Sequence, residues 1–206
     1  SRTGPLMDRL YHSVPSGVGK SGRIHLGKED LRRVLKKGAR WAVAQGYGTA
    51  ADVEATEEGG CLPGADPGQV SAKAKDRGRP QLGTLGSGNH FLEVQAVEEV
   101  FDQELGDTLG VNRRGQVVIM VHCGSRGLGH QVCQDTLKVM DRATRSYGIE
   151  LPDRQLACAP VRSPEGQAYL GAMHAAANFA WANRQMITYQ VRESFSLVFG
   201  RPWEAL

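Results

Sequence analysis

Residues 86–95 read Gly86-Ser87-Gly88-Asn89-His90-Phe91-Leu92-Glu93-Val94-Gln95. A glycine-rich turn stands directly before a histidine, and a short apolar segment follows. Glycine lets backbone amides come close to a ligand, and successive amides in such a turn form a concave site for anionic oxygen. Neutral imidazole is among the commonest ligands of first-row transition metals. This stretch therefore predicts a phosphate-binding turn beside a metal-binding histidine, His90.

A second stretch repeats this arrangement at residues 117–130. Five apolar residues lead into His122, and a glycine turn carrying Arg126 follows. The guanidinium group offers a planar fork of donors that matches phosphate oxygens. Either histidine alone is more often a hydrogen-bonded structural residue than a ligand, and 26 glycines in 206 residues make several turns inevitable. The two stretches together favour a metal and phosphate site containing His90, His122 and Arg126.

The composition limits the classes of protein to which the chain can belong. A chain of 206 residues with 40% hydrophobic content can bury one substantial core, or one core plus an appendage. The net charge of +3 permits a polyanionic partner without requiring one, because no run of five Lys or Arg residues occurs. Four basic residues, Arg32, Arg33, Lys36 and Lys37, are predicted to form the solvated face of a helix. No apolar stretch approaches the length of a membrane span, so we expect no membrane partner.

The cysteines are Cys61, Cys123, Cys133 and Cys158. They form no C-x-x-C pair and no dense framework, which predicts reduced thiols in a cytoplasmic protein. Cys123 follows His122 directly and is either a soft metal ligand or an inert small hydrophobe. We favour the inert interpretation, because free cysteine usually behaves as a buried apolar residue.

The first half of the chain is predicted to contain one long helix. Residues 1–27 are turn-rich, and apolar periodicity over Lys28–Gln45 predicts an amphipathic helix that ends at Gly46. Residues 56–68 are rich in glycine and proline, and residues 69–80 are polar and basic. Residues 56–80 are therefore predicted to form a mobile loop or arm.

The second half predicts both strands and helices, so the expected fold class is α+β. Residues 117–121 are typical of a buried strand, whereas residues 91–95 fit either a strand or the start of a helix. A helix is expected over residues 131–147, with its positive amino end directed toward a bound anion. A longer helix should begin after residue 163 and end at residue 200.

The long helix is marked by local signals. Ser163 can cap it, Pro164 suits its first position, and Gly200 can end it. Its predicted apolar stripe consists of Tyr169, Met173, Ala177, Ala180, Ile187, Val191 and Phe195. A polar row on another side, His174, Asn178 and Gln185, is interpreted as hydrogen-bonding and structural rather than metal-binding.

Three segments resemble successive signatures of the RtcB family of RNA-splicing ligases. They are GTLGSGNHFLEVQ at 83–95, VHCGSRGLGHQV at 121–132 and YLGAMHAAANFAWANRQMI at 169–187. Residues 14–19 are also similar to that family's Pro-x-Gly-x-Gly segment. The resemblance runs through most of the chain in order, and it implies that residues 1–206 form the central part of an RtcB-like catalytic domain with a partial RtcB-like fold.

The resemblance implies a ligase that depends on manganese and GTP. Such an enzyme joins RNA ending in a 3′-phosphate or 2′,3′-cyclic phosphate to RNA with a 5′-hydroxyl, through a GMP-activated intermediate. Carried over by motif, His90 would bind one of two Mn²⁺ ions and His122 the second. Arg126 would bind phosphate during catalysis, and five residues would line the GTP site: Asn89, His90, Phe91, Leu92 and Glu93. The implied partners are RNA, as tRNA halves or broken RNA ends, and an activating protein is a further candidate.

The chain also departs from the family pattern. The family's Asp-x-Gly-Cys segment, which supplies two metal ligands, would precede residue 2, and neither Cys61 nor Cys123 lies in that context. The third metal-binding histidine and the guanylylated histidine would follow the long helix. We therefore expect the chain to be part of a longer ligase and to be inactive alone. Two rival functions stay open: a metal-dependent phosphoesterase or nuclease, which would not need GTP, and a non-catalytic RNA-binding module, which would be indifferent to metal.

Overall fold

The computed structural model describes residues 2–153 and 155–205, so Ser1 and Leu206, the ends of the predicted domain, lie outside the described residues. The helices are α1 Thr3–Ser13, α2 Lys28–Lys37, α3 Ala39–Ala44, α4 Ala50–Glu54, α5 Ala72–Gly78, α6 Gln103–Leu109, α7 Arg126–Ser146 and α8 Pro164–Phe199. The strands are β1 Phe91–Ala96 and β2 Val117–His122, and short 3₁₀ turns cover Glu57–Gly60, Pro67–Gln69 and Trp203–Ala205. This mixture of helices with a small antiparallel sheet is compatible with the predicted α+β class.

Helix α8 is the central element, and α1, α2, α3 and α7 pack against it. Both predicted ends are confirmed: the Ser163 hydroxyl accepts a hydrogen bond from the Gly166 amide, and Gly200 adopts a left-handed conformation with φ 70°. The predicted apolar stripe is wrong in part, because Met173 is exposed whereas the middle of the helix is buried on several sides. Neighbours on more than one side bury small residues, such as Ala172 and Ala176, that a single stripe does not include.

The predicted helix over residues 28–45 is two helices, α2 and α3. They are separated at Gly38, which has φ 56° and ψ −137°. A Cβ atom at Gly38 would lie 2.1 Å from the carbonyl oxygen of Gly60. Periodicity predicted a continuous helix, but this close approach of two backbones requires a turn that only glycine adopts readily.

The prediction for the amino-terminal segment is also wrong, because residues 3–13 form a helix where we predicted only turns. Helix α1 buries Leu6 and Leu10, four residues apart, in an apolar cluster with Ile187 and Val191 of α8. Pro5 lies in the first turn of this helix, where proline is tolerated.

Residues 56–80 lie against the core. Val70 and Ala74 are buried in the main apolar cluster, and α5 packs against α7 so closely that a Cβ at Gly78 would lie 2.6 Å from Leu128 Cδ1. The mobility of this segment stays a prediction, and its packing does not support it. None of the helices in the described residues has the length and apolarity needed to span a bilayer.

The sheet is a single antiparallel pair whose register places Phe91 opposite His122 and Leu92 opposite Val121. Residues 91–96 are therefore a strand, which settles the alternative left open by the sequence. The prediction that β2 is buried is wrong, since Val117 and Met120 are 58% and 49% exposed. These two residues lie on opposite faces of β2, so the strand is partly exposed on both faces, and within it only Val118 and Val121 are half-buried.

Candidate metal and phosphate site

Two histidines meet at one end of the sheet. His90 stands immediately before β1, and His122 is the last residue of β2, so the antiparallel register brings them together. Their ring centroids are 5.8 Å apart and their planes are inclined by 55°. The His122 ring also stacks on Phe91 at 5.4 Å. The structure thus brings the two predicted metal ligands within reach of one site.

The His90 ring is held by its own turn. Its Nδ1 atom lies 2.8 Å from the carbonyl oxygen of Ser87, which can only accept a hydrogen bond. When Nδ1 carries the proton for this bond, the lone pair of Nε2 is directed away from the turn. Metal-binding histidines generally use this arrangement, in which one ring nitrogen is fixed by a carbonyl group and the other binds the ion.

Arg126 is anchored at the amino end of α7. Its Nε donates to Thr84 Oγ1 at 2.9 Å, and its Nη2 donates to the Gly17 carbonyl oxygen at 3.0 Å. Burial lowers the pKa of Arg126, and the nearby Cys123 opposes that change. The predicted helix over residues 131–147 begins five residues earlier than expected, at Arg126 itself. Arg126 has a left-handed φ of 53°, so it stands at the junction between the glycine turn and the helix.

Gly86 lies between the His90 ring and the Arg126 guanidinium. A Cβ atom at Gly86 would lie 2.5 Å from His90 Nδ1 and 2.8 Å from Arg126 Nη1. Real Cβ atoms essentially never come this close to other atoms. The absence of a side chain at position 86 thus allows the imidazole and the guanidinium to approach the same backbone.

A third segment joins the two glycine turns. The Gly17 amide donates to the Gly86 carbonyl oxygen at 3.1 Å, and the Leu85 amide donates to the Pro15 carbonyl oxygen at 2.9 Å. This is the segment at 14–19 that resembles a family motif but to which we assigned no role. Its position explains how Gly17 reaches Arg126.

Asn183 of α8 connects the two turns of the site, and we did not predict this residue from the sequence. Its Oδ1 accepts hydrogen bonds from the amides of Gly83 and Thr84, at 2.7 and 3.1 Å. Its Nδ2 donates to the carbonyl oxygens of Thr84 and Gly124, both at 3.1 Å. One fully buried side chain therefore connects the turn before β1 to the turn after β2. The signal was a polar residue in the most apolar part of the longest helix.

Two members of the predicted polar row, Asn178 and Gln185, make hydrogen bonds as predicted, whereas Nδ1 of the third, His174, is buried without a hydrogen-bond partner among the described residues. Asn178 donates to the Leu35 carbonyl oxygen and accepts from the Leu62 amide. Gln185 donates to the carbonyl oxygen of Tyr47. These contacts confirm the structural interpretation for Asn178 and Gln185, which tie α8 to the segments around it.

The Cys123 side chain packs among the residues that form the site, and its polar contacts are to protein groups. Its thiol lies 3.3 Å from the Thr84 carbonyl oxygen and 3.3 Å from Asn183 Nδ2. Its carbonyl oxygen accepts from Arg184, a half-buried arginine whose pKa is lowered by burial. All four cysteines are free thiols. These contacts agree with the inert role that we favoured for Cys123.

The residues predicted to bind GTP divide between two faces. Phe91 and Glu93 share the face of His122, and Glu93 accepts a hydrogen bond from Gln95 at 2.6 Å. Leu92 lies on the opposite face, in the apolar cluster with α1 and α8. Asn89 is exposed in the turn and makes no hydrogen bond within the described part of the chain. A direct role for Leu92 stays a prediction that this packing does not favour.

The donor set fits a metal ion only in part. The described residues contain no group of three or more His, Cys, Asp and Glu side chains that could hold a metal. Two imidazoles are fewer than the ligands that a transition-metal site ordinarily takes from its protein. His90 and His122 are therefore a partial site, and further ligands must come from outside this group.

Paired imidazoles beside an anchored arginine and two glycine turns are typical of proteins that act on phosphate groups with the help of a metal ion. The family model for "tRNA-splicing ligase RtcB" matches residues 1–206, and the chain belongs to this family. The resemblance seen in its sequence is confirmed.

Curated relatives agree with this assignment. The tRNA-splicing ligase RtcB of Archaeoglobus fulgidus is 58% identical over 195 residues, which cover 95% of this chain and 40% of the relative. That of Thermococcus kodakarensis is 58% identical over 199 residues, covering 97% and 41%. That of Pyrococcus furiosus is 60% identical over 194 residues, covering 94% and 20%. The chain thus spans less than half the length of these relatives.

Proposed function

We propose that this chain is part of an RNA ligase that joins RNA 3′-phosphate or 2′,3′-cyclic phosphate ends to 5′-hydroxyl ends. The observation that carries the proposal is the approach of His90 and Arg126 at Gly86, with His122 beside His90, in a chain 58% identical to a tRNA-splicing ligase. Its RNA substrates would be tRNA halves or broken RNA ends. Because the described residues offer only two imidazoles at this site, we further propose that the chain does not complete ligation alone.

His90 and His122 would hold Mn²⁺, one histidine for each of two ions. Bound Mn²⁺ would neutralise charge on the RNA phosphate and on GTP. The contribution of the chain itself is orientation: the Ser87 carbonyl fixes the His90 ring, and Phe91 supports the His122 ring from one side. Both contacts reduce the rotational freedom that ligand binding would otherwise have to remove.

Arg126 would bind the RNA phosphate. Two of its three nitrogens are engaged by Thr84 and Gly17, which leaves Nη1 at the surface of Gly86 as the donor for a ligand. Prior fixation of a guanidinium lowers the entropy cost of binding an anion. Half burial strengthens the interaction, because less water competes for the charge.

GTP would lie along the exposed side of residues 89–93. Asn89 and Glu93 are exposed there, and the half-buried Phe91 shares the face of Glu93. Activation of the RNA end by GMP is the mechanism implied by the family, and the guanylylated histidine would belong to another part of the ligase. An activating protein is compatible with this division. Four free thiols fit a reducing compartment, which supports a cytoplasmic location.

Manganese binding tests the proposal directly. Electron paramagnetic resonance would compare the wild-type chain with His90→Ala, His122→Ala and the control His25→Ala, whose exposed side chain lies in a different segment. We expect saturable binding that is unchanged in the control and weakens roughly tenfold or more in the two site variants, since each loses a side chain that would bind the ion directly. Equal binding by all four chains would remove the basis for the proposed site.

Ligation assays separate the rival functions. Supplied with Mn²⁺, GTP and RNA ends, the isolated chain should yield no joined product. A phosphoesterase would instead remove the 3′-phosphate without GTP, and this outcome is disfavoured because the described residues lack a carboxylate-rich cluster with the histidines. Sealing by the isolated chain would show that the ligase proposal is right and that the proposed incompleteness is wrong.

A further inference from the structure

A basic cleft lies between α2 and α5, apart from the two histidines. Its volume is about 670 Å³, and its lining includes the apolar Leu31, Pro67 and Ala72. Five cationic side chains line it: Lys28, Arg32, Lys36, Lys75 and Arg79. Only two acidic residues, Asp66 and Asp76, oppose them. The sequence predicted a merely solvated helix face here, whereas the structure places Arg32 and Lys36 across a cleft from a second basic helix.

The cations form two facing rows. Lys28, Arg32 and Lys36 are spaced four residues apart on one side of α2, so about 6 Å separates each charge from the next along the helix. Lys75 and Arg79 have the same spacing at the carboxyl end of α5. Two rows of regularly spaced charges match a linear polyanion, such as a nucleic-acid strand, better than one small anion.

Four of the five cations make no ion pair within the described residues, whereas the fifth, Arg32, forms a bidentate ion pair with Glu29. Lys28 and Lys75 make no hydrogen bond or ion pair within the described residues. Arg79 uses Nε to donate to the Leu26 carbonyl oxygen at 3.0 Å, which positions its guanidinium without removing its charge. Of the two carboxylates, Asp66 accepts hydrogen bonds from the Gly68 amide and Gln69 within its own turn.

The cleft is connected to the histidine site by a short piece of chain. Arg79 lies at its edge, and two residues later the Gln81 side chain accepts a hydrogen bond from the Gly127 amide at 2.9 Å. Gly127 directly follows Arg126. A strand whose end is bound at Arg126 therefore has a second cationic surface within a few residues of the anchoring turn.

We propose that the α2–α5 cleft binds the sugar-phosphate backbone of the RNA substrate, away from the reacting end. This inference rests on the proposed function, because it assigns a second contact surface to the same RNA. Phosphate contacts by lysine and arginine position a nucleic acid without reading its sequence, so the cleft would accept RNAs of different sequence. Binding there would supply affinity, and Arg126 would supply recognition of the end.

Fluorescence anisotropy with a labelled single-stranded RNA ending in a 3′-phosphate tests this assignment. The double variant Lys28→Gln/Lys75→Gln is compared with the control Lys138→Gln/Arg142→Gln, which removes the same charge from the exposed side of α7. We expect the cleft variant to lose roughly tenfold in affinity at low salt, and the slope of log affinity against log salt to become shallower by about 1.4 for two lost phosphate contacts. The control should change both quantities much less.

The outcomes separate the inference from the proposed function. If the two double variants weakened RNA binding equally and Arg126→Ala still weakened it, the cleft would not be an RNA-binding surface. The proposed ligase site would be unaffected by this result. A wild-type chain without affinity for RNA would overturn both. Competition by poly-glutamate as strong as that by unlabelled RNA would show a general acidic-polymer site and would also overturn the assignment. Circular dichroism would confirm that each variant is folded.

Discussion

The imidazole rings of His90 and His122 lie 5.8 Å apart because the register of β1 and β2 sets Phe91 opposite His122. A shift of one residue in this pairing would turn every side chain of β2 to the other face, and His122 would leave the site. Apolar packing protects the register, since Leu92, Val94 and Val121 all lie in the cluster with α1 and α8. The candidate metal site therefore depends on the core beneath it.

Asn183→Ala should destabilise the chain. The substitution leaves the buried amides of Gly83 and Thr84 and the carbonyl oxygen of Gly124 without their partner. Each unsatisfied buried group costs about 1–3 kcal/mol, so we expect a loss of about 3 kcal/mol or more in the free energy of unfolding, measured with urea. Asn89→Ala is the control, because Asn89 is exposed, and its effect should stay within about 0.5 kcal/mol. A loss below about 1 kcal/mol for Asn183→Ala would contradict the role assigned to this amide.

Gly86→Ala should impair ligand binding more than stability. The new methyl group would meet Nδ1 and Cγ of the His90 ring and Nη1 of the Arg126 guanidinium, so both side chains would have to leave the positions in which they face a ligand. Displacing both should weaken Mn²⁺ and 3′-phosphate RNA binding roughly tenfold each, because binding groups act only when correctly placed. Gly124→Ala is the matched control, since nothing lies within 4 Å of a Cβ there. Wild-type binding by Gly86→Ala would show that the close approach at Gly86 is irrelevant.

The sequence predicted those features of the fold that depend on residues close together in the chain. The ends of α8 follow from Ser163, Pro164 and Gly200, which act through neighbours in the chain. The glycine turns and histidines were predicted for the same reason. A buried polar role for Asn183 was indicated by its apolar surroundings in the sequence, but its partners could not be predicted, because they lie about 60 and 100 residues away and only the fold brings them together.

Two of the predictions that were wrong, the continuous helix over residues 28–45 and the burial of β2, depend on contacts between residues far apart in the chain. Gly38 was a visible glycine inside a helical pattern, but its effect depends on the Gly60 carbonyl oxygen that packs against it. Likewise, the apolar run of β2 predicted burial, whereas the two-stranded sheet leaves residues on both faces of β2 exposed. Local signals thus determined which elements form, whereas contacts between elements determined where they break and what they expose.

The Asp52–Arg192 pair predicts a pH dependence. Burial raises the pKa of Asp52, but hydrogen bonds from Arg192, the Thr49 amide and Gln185 outweigh it and lower the pKa from 3.8 to about 2. A carboxyl group with a depressed pKa in the folded state stabilises the protein above its unfolded pKa, and this contribution is lost as pH falls through the folded value. The free energy of unfolding should therefore decline between pH of about 4 and about 2, by up to about 2 kcal/mol from this group.

Asp52→Asn tests this assignment in urea titrations at several pH values. The variant should be less stable than the wild type at neutral pH, and the difference should shrink as the pH approaches 2. Asp141→Asn is the control, because Asp141 pairs with Arg145 on the exposed surface of α7, where such pairs contribute little. A constant difference between Asp52→Asn and the wild type across the acid range would exclude the pair as the source.

Arg126→Lys should separate charge from geometry at the site. Lysine keeps the positive charge, but its single ammonium group cannot contact Thr84 Oγ1 and the Gly17 carbonyl oxygen while also presenting a fixed donor at Gly86. We expect a selective loss: affinity for RNA ending in a 3′-phosphate should fall roughly tenfold, whereas affinity for the same RNA ending in a 3′-hydroxyl should stay nearly constant. Anisotropy titrations with the two RNAs give this ratio directly, and Arg142→Lys on the exposed side of α7 is the matched control. If Arg126→Lys weakened both RNAs equally, Arg126 would act on the RNA backbone in general, and recognition of the phosphate end would have to lie elsewhere in the ligase.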